Sequence, residues 1–528
     1  MRPSIKILTV LLIAGLTVPA CGTAAQAAVV DPDETVAVEE SESGTSSLPS
    51  RYSSVELGYV TSVKAQRHND CWAYSATGTL ESKLLRSGLT AVDMSVPHMN
   101  GWATTRSNGR GWVRTISDFG VNSISAGYLT SWSGGVLVSD LTDWIMSDET
   151  HGDEVPTGLT RYGVTSLRYL GGESHEVIKK AIMDNGGVAS SYSHNASLMK
   201  DSLSFYMPSN YSGSKTGHAI EVVGWDDDYP KENFVVTPTN NGAWLIKNSW
   251  GSNNELDGFF WISYEDKDLL TTKYKPSYAV ETFEPVTANK KLVQNEIYGA
   301  TYEFDYLSQQ EVTYLNHFEF DEDFYLIDKI IFETTSANAG YTLSFVPDKD
   351  GKPSDDQEDW IPLGSGVTDY AGYLCIDIDN FLLPEDTSGS VAVTLHTDAD
   401  KTATIGVGEW LVYSNTDDYL FINESEPGMS YLYENGGFTD LMDWYRDNNG
   451  DELGGTFVIK ALTLKPEIGD VNCDGVVNVL DATLIQRYLA ELDDLNGRQL
   501  ALADPSCDGS INIADATLIQ MNIAEIEE

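Results

Sequence analysis

Four polar residues in the first half of the chain have the types that acyl transfer by a cysteine nucleophile needs. Cys71 opens an apolar run with helical spacing, and the dipole and unpaired amides of a helix start favour a thiolate, the nucleophilic form of cysteine. His218 could act as the base, and Asn248 could accept a hydrogen bond from the imidazole and fix its tautomer. Gln66 could donate its side-chain amide, together with the Cys71 N–H, to an oxyanion.

Predicted secondary structure places these residues at the ends of ordered elements. Apolar residues recur at helical spacing from Cys71 to Arg86, which predicts a helix that begins at the nucleophile. β-like residues follow His218, and a second strand is predicted over residues 243–247, directly before Asn248. A polar insertion with an Asn-Asn-Gly turn separates these two strands. The first part of the chain is therefore expected to be mixed α and β.

The order of these motifs resembles the papain family of cysteine peptidases. Gln66 precedes Cys71-Trp, His218 stands in Gly-His-Ala, and Asn248 opens Asn-Ser-Trp-Gly. The resemblance covers residues 48–280 and implies an α+β peptidase fold, catalysis without a cofactor, and catalytic roles for the same four residues. In that family the cysteine and histidine form a thiolate–imidazolium pair, and the tryptophan, here Trp250, shields the hydrogen bond between histidine and asparagine.

The resemblance also assigns a substrate-binding edge. The family has a glycine-rich strand beside its substrate, which corresponds here to Gly120 and Val121, with Gly134-Gly135 as a rival pair for that role. The expected substrate is a protein or peptide.

The segment directly before the nucleophile departs from the family pattern. The family usually has one more residue between its glutamine and cysteine, and a glycine where this chain has His68-Asn69-Asp70. A carboxylate at Asp70 would oppose thiolate formation. A catalytically inactive papain-like binding module is therefore the alternative to an active endopeptidase. A carbohydrate-active protein is a third interpretation, for which no pair of carboxylates can be singled out.

Residues 285–462 have the pattern of an all-β sandwich. Short β-rich runs such as residues 341–345 and 391–395 alternate with turns rich in Gly, Asp, Asn and Pro. A lectin-like second domain also occurs in bacterial members of the papain family. A carbohydrate ligand for it is implied by that family name alone.

Two similar acidic loops end the chain, 34 residues apart. Each has oxygen side chains at positions 1, 3, 5, 9 and 12 and a glycine at position 6, the pattern of a calcium-binding loop. The expected ligands of two Ca²⁺ ions, including the position-7 carbonyls, are Asp470, Asn472, Asp474, Val476, Asn478 and Asp481, then Asp504, Ser506, Asp508, Ser510, Asn512 and Asp515.

The repeat resembles type I dockerins over residues 468–528, which implies a small α-helical domain that binds a cohesin on a cellulosome scaffold. The residues that would contact the cohesin, at positions 10, 11, 17 and 18 of each repeat, are Val479, Leu480, Gln486, Arg487, Ile513, Ala514, Gln520 and Met521. Cys473 and Cys507 both occupy position 4 of their loops, and a disulfide between them is an open alternative.

The N-terminus and the overall charge predict an exported protein. Residues 1–27 combine a basic start with a short apolar run and a small-residue cleavage site, as in a signal peptide, and residues 28–47 are an acidic linker. Lipidation at Cys21 is the rival to cleavage after Ala27. In 528 residues, 32 basic and 80 acidic side chains give a net charge of −48, which argues against nucleic-acid and membrane-surface binding. Membrane insertion is not expected, and the predicted location is extracellular, on a cellulosome.

Overall fold

A computed structural model describes residues 48–524, apart from residues 91, 148, 272–276, 301, 306–309, 385–387, 399–402, 410, 414–418, 423–424, 450–453 and 507. The expected signal peptide and acidic linker, with Cys21, lie outside the described residues, as do Cys507 and residues 525–528. Among the described residues, no helix has both the length and the apolar character that crossing a membrane would need.

The first part of the described chain is mixed α and β, as expected. Its helices are α1 (Cys71–Arg86), α2 (Val96–Trp102), α3 (Asn122–Thr130) and α4 (His175–Asn185). Its strands are β1 (Arg51–Ser53), β2 (Gly111–Trp112), β3 (Tyr162–Tyr169), β4 (Val188–His194), β5 (Met199–Lys200), β6 (Ser204–Phe205), β7 (Thr216–Asp226), β8 (Ala243–Lys247), β9 (Phe259–Ser263) and β10 (Tyr278–Pro285).

The second part is dominated by strands, and the chain ends in short helices. The strands are β11 (Lys290–Gln294), β12 (Tyr302–Asp305), β13 (Glu311–Glu319), β14 (Leu326–Thr334), β15 (Gly340–Lys349), β16 (Lys352–Pro353), β17 (Ile361–Val367), β18 (Gly372–Leu382), β19 (Ser388–His396), β20 (Thr404–Glu409), β21 (Leu411–Tyr413), β22 (Tyr419–Ile422), β23 (Ser430–Glu434), β24 (Gly437–Asp440), β25 (Gly455–Phe457) and β26 (Ile459–Leu464). The helices are α5 (Leu441–Asn449), α6 (Val479–Leu489), α7 (Gly497–Leu502) and α8 (Ile513–Ile523).

The elements that carry the expected catalytic residues form where the sequence predicts them. Helix α1 begins at Cys71. Its apolar residues recur on one face, and three of them, Trp72, Ala76 and Leu80, are buried. Strand β7 carries His218, and β8 ends one residue before Asn248. These two strands pair antiparallel, so the polar insertion between them brings His218 and Asn248 to the same end of the sheet.

One sheet of 13 strands connects the two parts of the chain within the described residues. Its order is β11-β26-β14-β18-β3-β10-β4-β7-β8-β9-β6-β5, with β1 paired to β7. The connection is the pairing of β18 with β3, where Gly372 lies opposite Arg168. Gly372 has φ +137°, and a side chain there would overlap the Leu167 carbonyl oxygen. The two parts of the described chain thus share one sheet, which is continuous through this glycine.

The second part is the β-sandwich that the sequence predicts. A further sheet, in the order β16-β15-β19-β13-β23-β24, packs an apolar core against strands of the large sheet. The runs at residues 341–345 and 391–395 lie in β15 and β19, which are hydrogen-bonded neighbours. Four buried residues of this part, Tyr298, Ile331, Tyr373 and Val458, belong to the core that also surrounds Cys71.

The C-terminal repeats form two similar loop–helix units. Asn478 and Asn512 cap α6 and α8, and each takes part in a capping box. Ile485 and Ile519, at equivalent positions of the repeats, are buried in one small core. The first loop also packs on the sandwich, because Cys473 shares an apolar cluster with Leu326, Leu464 and Leu502.

Candidate active site

The Cys71 thiol lies against the strand that carries His218. Cys71 is the first residue of α1, and its side chain is mostly buried. The Ala219 N–H donates a hydrogen bond to Cys71 Sγ over 3.4 Å. Since Ala219 directly follows His218, this contact fixes the nucleophile beside the expected base.

The hydrogen bonds of Asn248 determine the tautomer of His218. His218 Nε2 lies 2.9 Å from Asn248 Oδ1, and the Ser249 N–H donates to the same oxygen over 2.8 Å. A backbone N–H can only donate, so this atom is an acceptor and His218 Nε2 carries the proton. His218 Nδ1 is then the basic nitrogen. The expected Asn248 role therefore agrees with the contacts.

Trp250 covers the imidazole. Its ring stacks on His218 with centroids 4.4 Å apart and an interplanar angle of 20°. Trp250 is 42% exposed and His218 is 6% exposed, so the indole forms an outer lid over a buried histidine. Water is thereby kept from the hydrogen bond between His218 and Asn248.

Burial controls the protonation of the pair. It lowers the pKa of His218 to about 4, against the hydrogen bond to Asn248, which raises it. It also raises the pKa of Cys71, against hydrogen bonds from backbone N–H groups, including that of Ala219. Burial thus favours the neutral thiol and imidazole, whereas the amides at the helix start favour the thiolate that the sequence predicts.

Asp70 adds to this effect, as its position in the sequence suggested. Its side chain is 3% exposed, and its Oδ1 atom makes no hydrogen bond with any residue that the structure describes. Burial raises the pKa of Asp70, and the charge of its ionised form raises the pKa of Cys71.

Asp70→Asn is expected to speed alkylation of Cys71 by iodoacetamide severalfold at neutral pH. The neutral amide removes a negative charge beside the sulfur, so the thiol pKa falls and more thiolate is present. The measurement is the alkylation rate between pH 5 and pH 9, with the exposed Asp143→Asn as control. An unchanged or slower rate would show that Asp70 does not suppress the thiolate.

Gln66 links the segment before the nucleophile to the segment after Asn248. Its Nε2 atom donates to the His68 carbonyl over 2.9 Å, and its Oε1 atom accepts from Ser249 Oγ over 2.6 Å. An amide nitrogen has two hydrogens, so one remains for an oxyanion.

Gln66→Ala is expected to lower kcat by on the order of 10²–10³-fold with little change in KM, since an oxyanion donor acts mainly in the transition state. Steady-state kinetics on a peptide substrate measure this, with Asn253→Ala as an exposed amide control. An unaltered kcat would mean that the bond to His68 holds Gln66 away from the reacting carbonyl.

A cleft of about 550 Å³ opens beside the pair. Cys71, Gly120 and Val121 line it, and Thr216 and His218 lie among the residues of the other wall. A side chain at position 120 would overlap the Trp72 indole, which explains the glycine. The rival pair packs elsewhere, since Gly134 lies against Tyr128 and Gly135 against the Tyr162 backbone.

His194 is a further neighbour of the site, which no sequence motif had marked. Its ring contacts Trp250 edge-on at 5.0 Å, and its Nδ1 atom lies 3.0 Å from Tyr192 OH. Tyr192 pairs with His218 across β4 and β7. Residues 192 and 194 lie on one face of β4, because side chains two positions apart in a strand point the same way.

The expected calcium ligands lie in two compact loops. Gly475 and Gly509, at position 6, have φ of +81° and +82°, so both loops turn where a calcium loop must. Asp470 and Asp481 are fully buried, although their oxygens accept hydrogen bonds from backbone N–H groups. Burial and then neighbouring carboxylates raise the pKa of Asp470 to about 6.

The residues of the two loops fit a hard cation such as Ca²⁺. Their ligand atoms are all oxygens, and a cation would offset the repulsion between the buried carboxylates. In the described part of the chain, no three acidic, histidine or cysteine side chains already converge as a metal site. Closing the carboxylates of a loop on an ion would therefore require them to exchange some backbone hydrogen bonds for the ion.

The expected cohesin-binding residues lie on the outer sides of α6 and α8. Val479, Leu480 and Ile513 are each more than half exposed. The others are exposed or half-buried, and Arg487 is paired with Asp493.

Comparison with known proteins agrees with this architecture. The family models that match are papain family cysteine protease at residues 48–280, lectin like domain at 292–463 and dockerin type I domain at 468–524. A structure of the clostridial cysteine protease Cwp84 after propeptide cleavage is 32% identical, with a TM-score of 0.69 over 79% of this chain and 99% of that chain. The chain belongs to the papain family of cysteine proteases.

Further similar proteins include a second structure of the same clostridial protease and two cathepsins. A structure of the cysteine protease and lectin-like domains of Cwp84, a surface layer associated protein of Clostridium difficile, is 32% identical with a TM-score of 0.69, covering 81% of this chain and 91% of that one. Cathepsin Q of Rattus norvegicus is 27% identical over 39% of this chain and 56% of its own length. Cathepsin L1 of Drosophila melanogaster is 27% identical over 38% and 50%. The chain thus spans about half the length of these curated relatives. The expected family, fold class and enzyme class are confirmed.

Proposed function

We propose that the protein is a secreted cysteine endopeptidase that hydrolyses peptide bonds through Cys71, His218 and Asn248. One observation carries the proposal: His218, with its tautomer fixed by Asn248, lies beside the Cys71 thiol at the wall of an open cleft. A nucleophile, a base and a group that orients the base are the three parts of such a site.

The reaction follows from these positions. A peptide in the cleft would lie along Gly120 and Val121. The Cys71 proton moves to His218 Nδ1 as Sγ attacks the carbonyl carbon, and the oxyanion accepts from the Cys71 N–H and Gln66. Collapse of the intermediate breaks the C–N bond, and the imidazolium gives its proton to the leaving amine. His218 then takes a proton from water, which hydrolyses the thioester and restores the thiol.

Anchoring to a cellulosome is the second part of the proposal. The dockerin match implies a cohesin partner, and the exposed apolar residues of α6 and α8 supply a surface for it. Two Ca²⁺ ions would be held by the oxygen donors of the two loops named above, where they would neutralise buried carboxylates and stabilise the fold. The similarity to a surface layer associated protein also supports an extracellular location.

An inactive binding module remains the second candidate, because the buried Asp70 opposes ionisation of Cys71. Such a protein would hold peptides in the same cleft without cleaving them.

Labelling with a peptide epoxide, followed by mass mapping, separates the two candidates. We expect modification of Cys71 and none of Cys375, whose pKa burial raises to about 12. The same protein should cleave an unfolded protein substrate under reducing conditions. Peptide binding without labelling or cleavage would favour the binding module.

A further inference from the structure

Helix α3 connects the substrate cleft to the β-sandwich. Its first residues, Asn122 and Ser123, line the cleft directly after Gly120 and Val121. The helix is 9 residues long, and its other end meets side chains from β11 and β26. A displacement of that end would therefore move the cleft wall.

Two side chains of the sandwich cap the C-terminal end of α3. The last carbonyls of a helix have no partner within the helix. Here Lys460 Nζ donates to the Thr130 carbonyl over 3.1 Å, and Gln294 Nε2 donates to the Ser131 carbonyl over 2.9 Å. Lys460 also donates to Gln294 Oε1 over 2.7 Å. A cation at this position is favoured by the helix dipole.

The middle of α3 also rests on the sandwich. A side chain at Gly127 would overlap the carbonyl oxygen of Tyr298, so the helix backbone touches the segment after β11. Tyr298 is buried, with its ring 5.7 Å from that of Trp102 and beneath the Arg106 guanidinium. Contacts from the second part of the chain therefore hold the middle and the C-terminal end of α3.

Lys460 is fully buried, which is unusual for a lysine. Removing an ammonium group from water is costly unless polar partners surround it. Burial lowers the pKa of Lys460 to about 7, against the charge of the buried Glu296, which raises it. The side chain can donate to the Thr130 carbonyl and to Gln294 whether or not it is charged. Both hydrogen-bond partners of Lys460, the Thr130 carbonyl and Gln294, therefore lie at the C-terminal end of α3.

We propose that the β-sandwich is a fixed component of the substrate cleft, and that Lys460 is a positioning residue that sets the wall at residues 120–123 by capping α3. This inference rests on the proposed peptidase function. It gives the lectin-like part of the chain a role in proteolysis that requires no carbohydrate.

The test compares Lys460→Met and Gln294→Met in the full chain, with Lys291→Met as the matched control. Lys291 is on the same strand as Gln294 but forms a surface ion pair with Asp321. Active sites are counted by titration with a peptide epoxide. We expect kcat/KM for a peptide substrate to fall about tenfold in Lys460→Met, mainly through KM, since small displacements of binding groups have large effects. Alkylation of Cys71 by iodoacetamide, which does not use the wall, should keep its rate.

A purely structural role would instead reduce the number of active sites and leave KM unchanged. If Lys460→Met fails to fold, Gln294→Met decides, because it keeps the lysine and its bond to the Thr130 carbonyl while removing the bonds of Gln294 to Ser131 and to Lys460. A folded Gln294→Met protein with the KM of the Lys291→Met control would then overturn the inference. A wild-type protein that cleaves no peptide would overturn the peptidase proposal together with this inference, whereas an active wild type with unchanged KM in the folded variants would overturn the inference alone.

Discussion

Cys71→Ala is expected to abolish peptide hydrolysis without unfolding the protein, and His218→Ala is expected to cost nearly as much. A nucleophile and its base act as a unit, so loss of either lowers kcat by on the order of 10⁶-fold. The Cys71 side chain is small and lies at the wall of a cleft, so alanine leaves little space unfilled. Steady-state hydrolysis of a peptide under reducing conditions, with circular dichroism of each variant, measures both parts of the prediction.

Cys375→Ala is the control for general thiol effects. Cys375 lies in β18 within the large sheet, and its burial keeps it a protonated thiol. This variant should keep full activity. Full activity in Cys71→Ser would exclude Cys71 as the nucleophile.

Chelation of calcium is expected to unfold the C-terminal repeats and to reduce cohesin binding below detection. The core around Ile485 and Ile519 is small, and domains of this size usually need added stabilisation. Ion binding then contributes directly to folding, because the unfolded chain has no preformed site. Calorimetry should show two ions, and amide hydrogen exchange at pH 7 should show protection of α6 and α8 only with the metal.

The same experiment contains its own controls. Helix α1 should keep its protection in chelator, because the peptidase part contains no such loop. Asp481→Asn should lower protection of α6 strongly, whereas Asp494→Asn outside the loops should not. One bound ion, or equal protection of α8 with and without metal, would contradict the prediction.

The pKa of Asp470 adds a pH dependence to the metal-free protein. Its pKa is about 6 in the folded loop and 3.8 as the ordinary value, so between these values the folded form binds a proton that the unfolded form releases. Stability without metal therefore falls as pH rises through 6. In chelator, α6 should exchange more slowly at pH 5 than at pH 7, once corrected for intrinsic exchange rates.

The sequence predicts the parts of the site that depend on local pattern. Helix α1 follows from apolar spacing, and the calcium loops follow from the spacing of oxygens and a glycine. The polar insertion could be recognised because it breaks the strand pattern before Asn248. Each of these features is encoded within a few neighbouring residues.

Other features depend on contacts between distant residues, which a single sequence does not display. The pairing of β18 with β3 needs Gly372 to approach Leu167, and nothing in either strand names its partner. The sign of the Cys71 pKa shift depends on how deeply Cys71 itself is buried and on the charge of Asp70 beside it. In the sequence, Lys460 looks like any lysine in a strand. Its burial and its bond to the Thr130 carbonyl at the end of α3 are visible only in the structure.

The contact of Cys473 and Leu502 with Leu326 and Leu464 has a consequence for how the enzyme would meet its substrates. The sequence predicts a short hinge at Lys465, between the sandwich and the C-terminal repeats, but the next residue, Pro466, is buried. The C-terminal repeats thus pack on the sandwich, and the sandwich packs on the helix that lines the cleft. If a cohesin holds the repeats as proposed, it would also set the direction in which the cleft faces, and the enzyme would act on proteins that lie on that side.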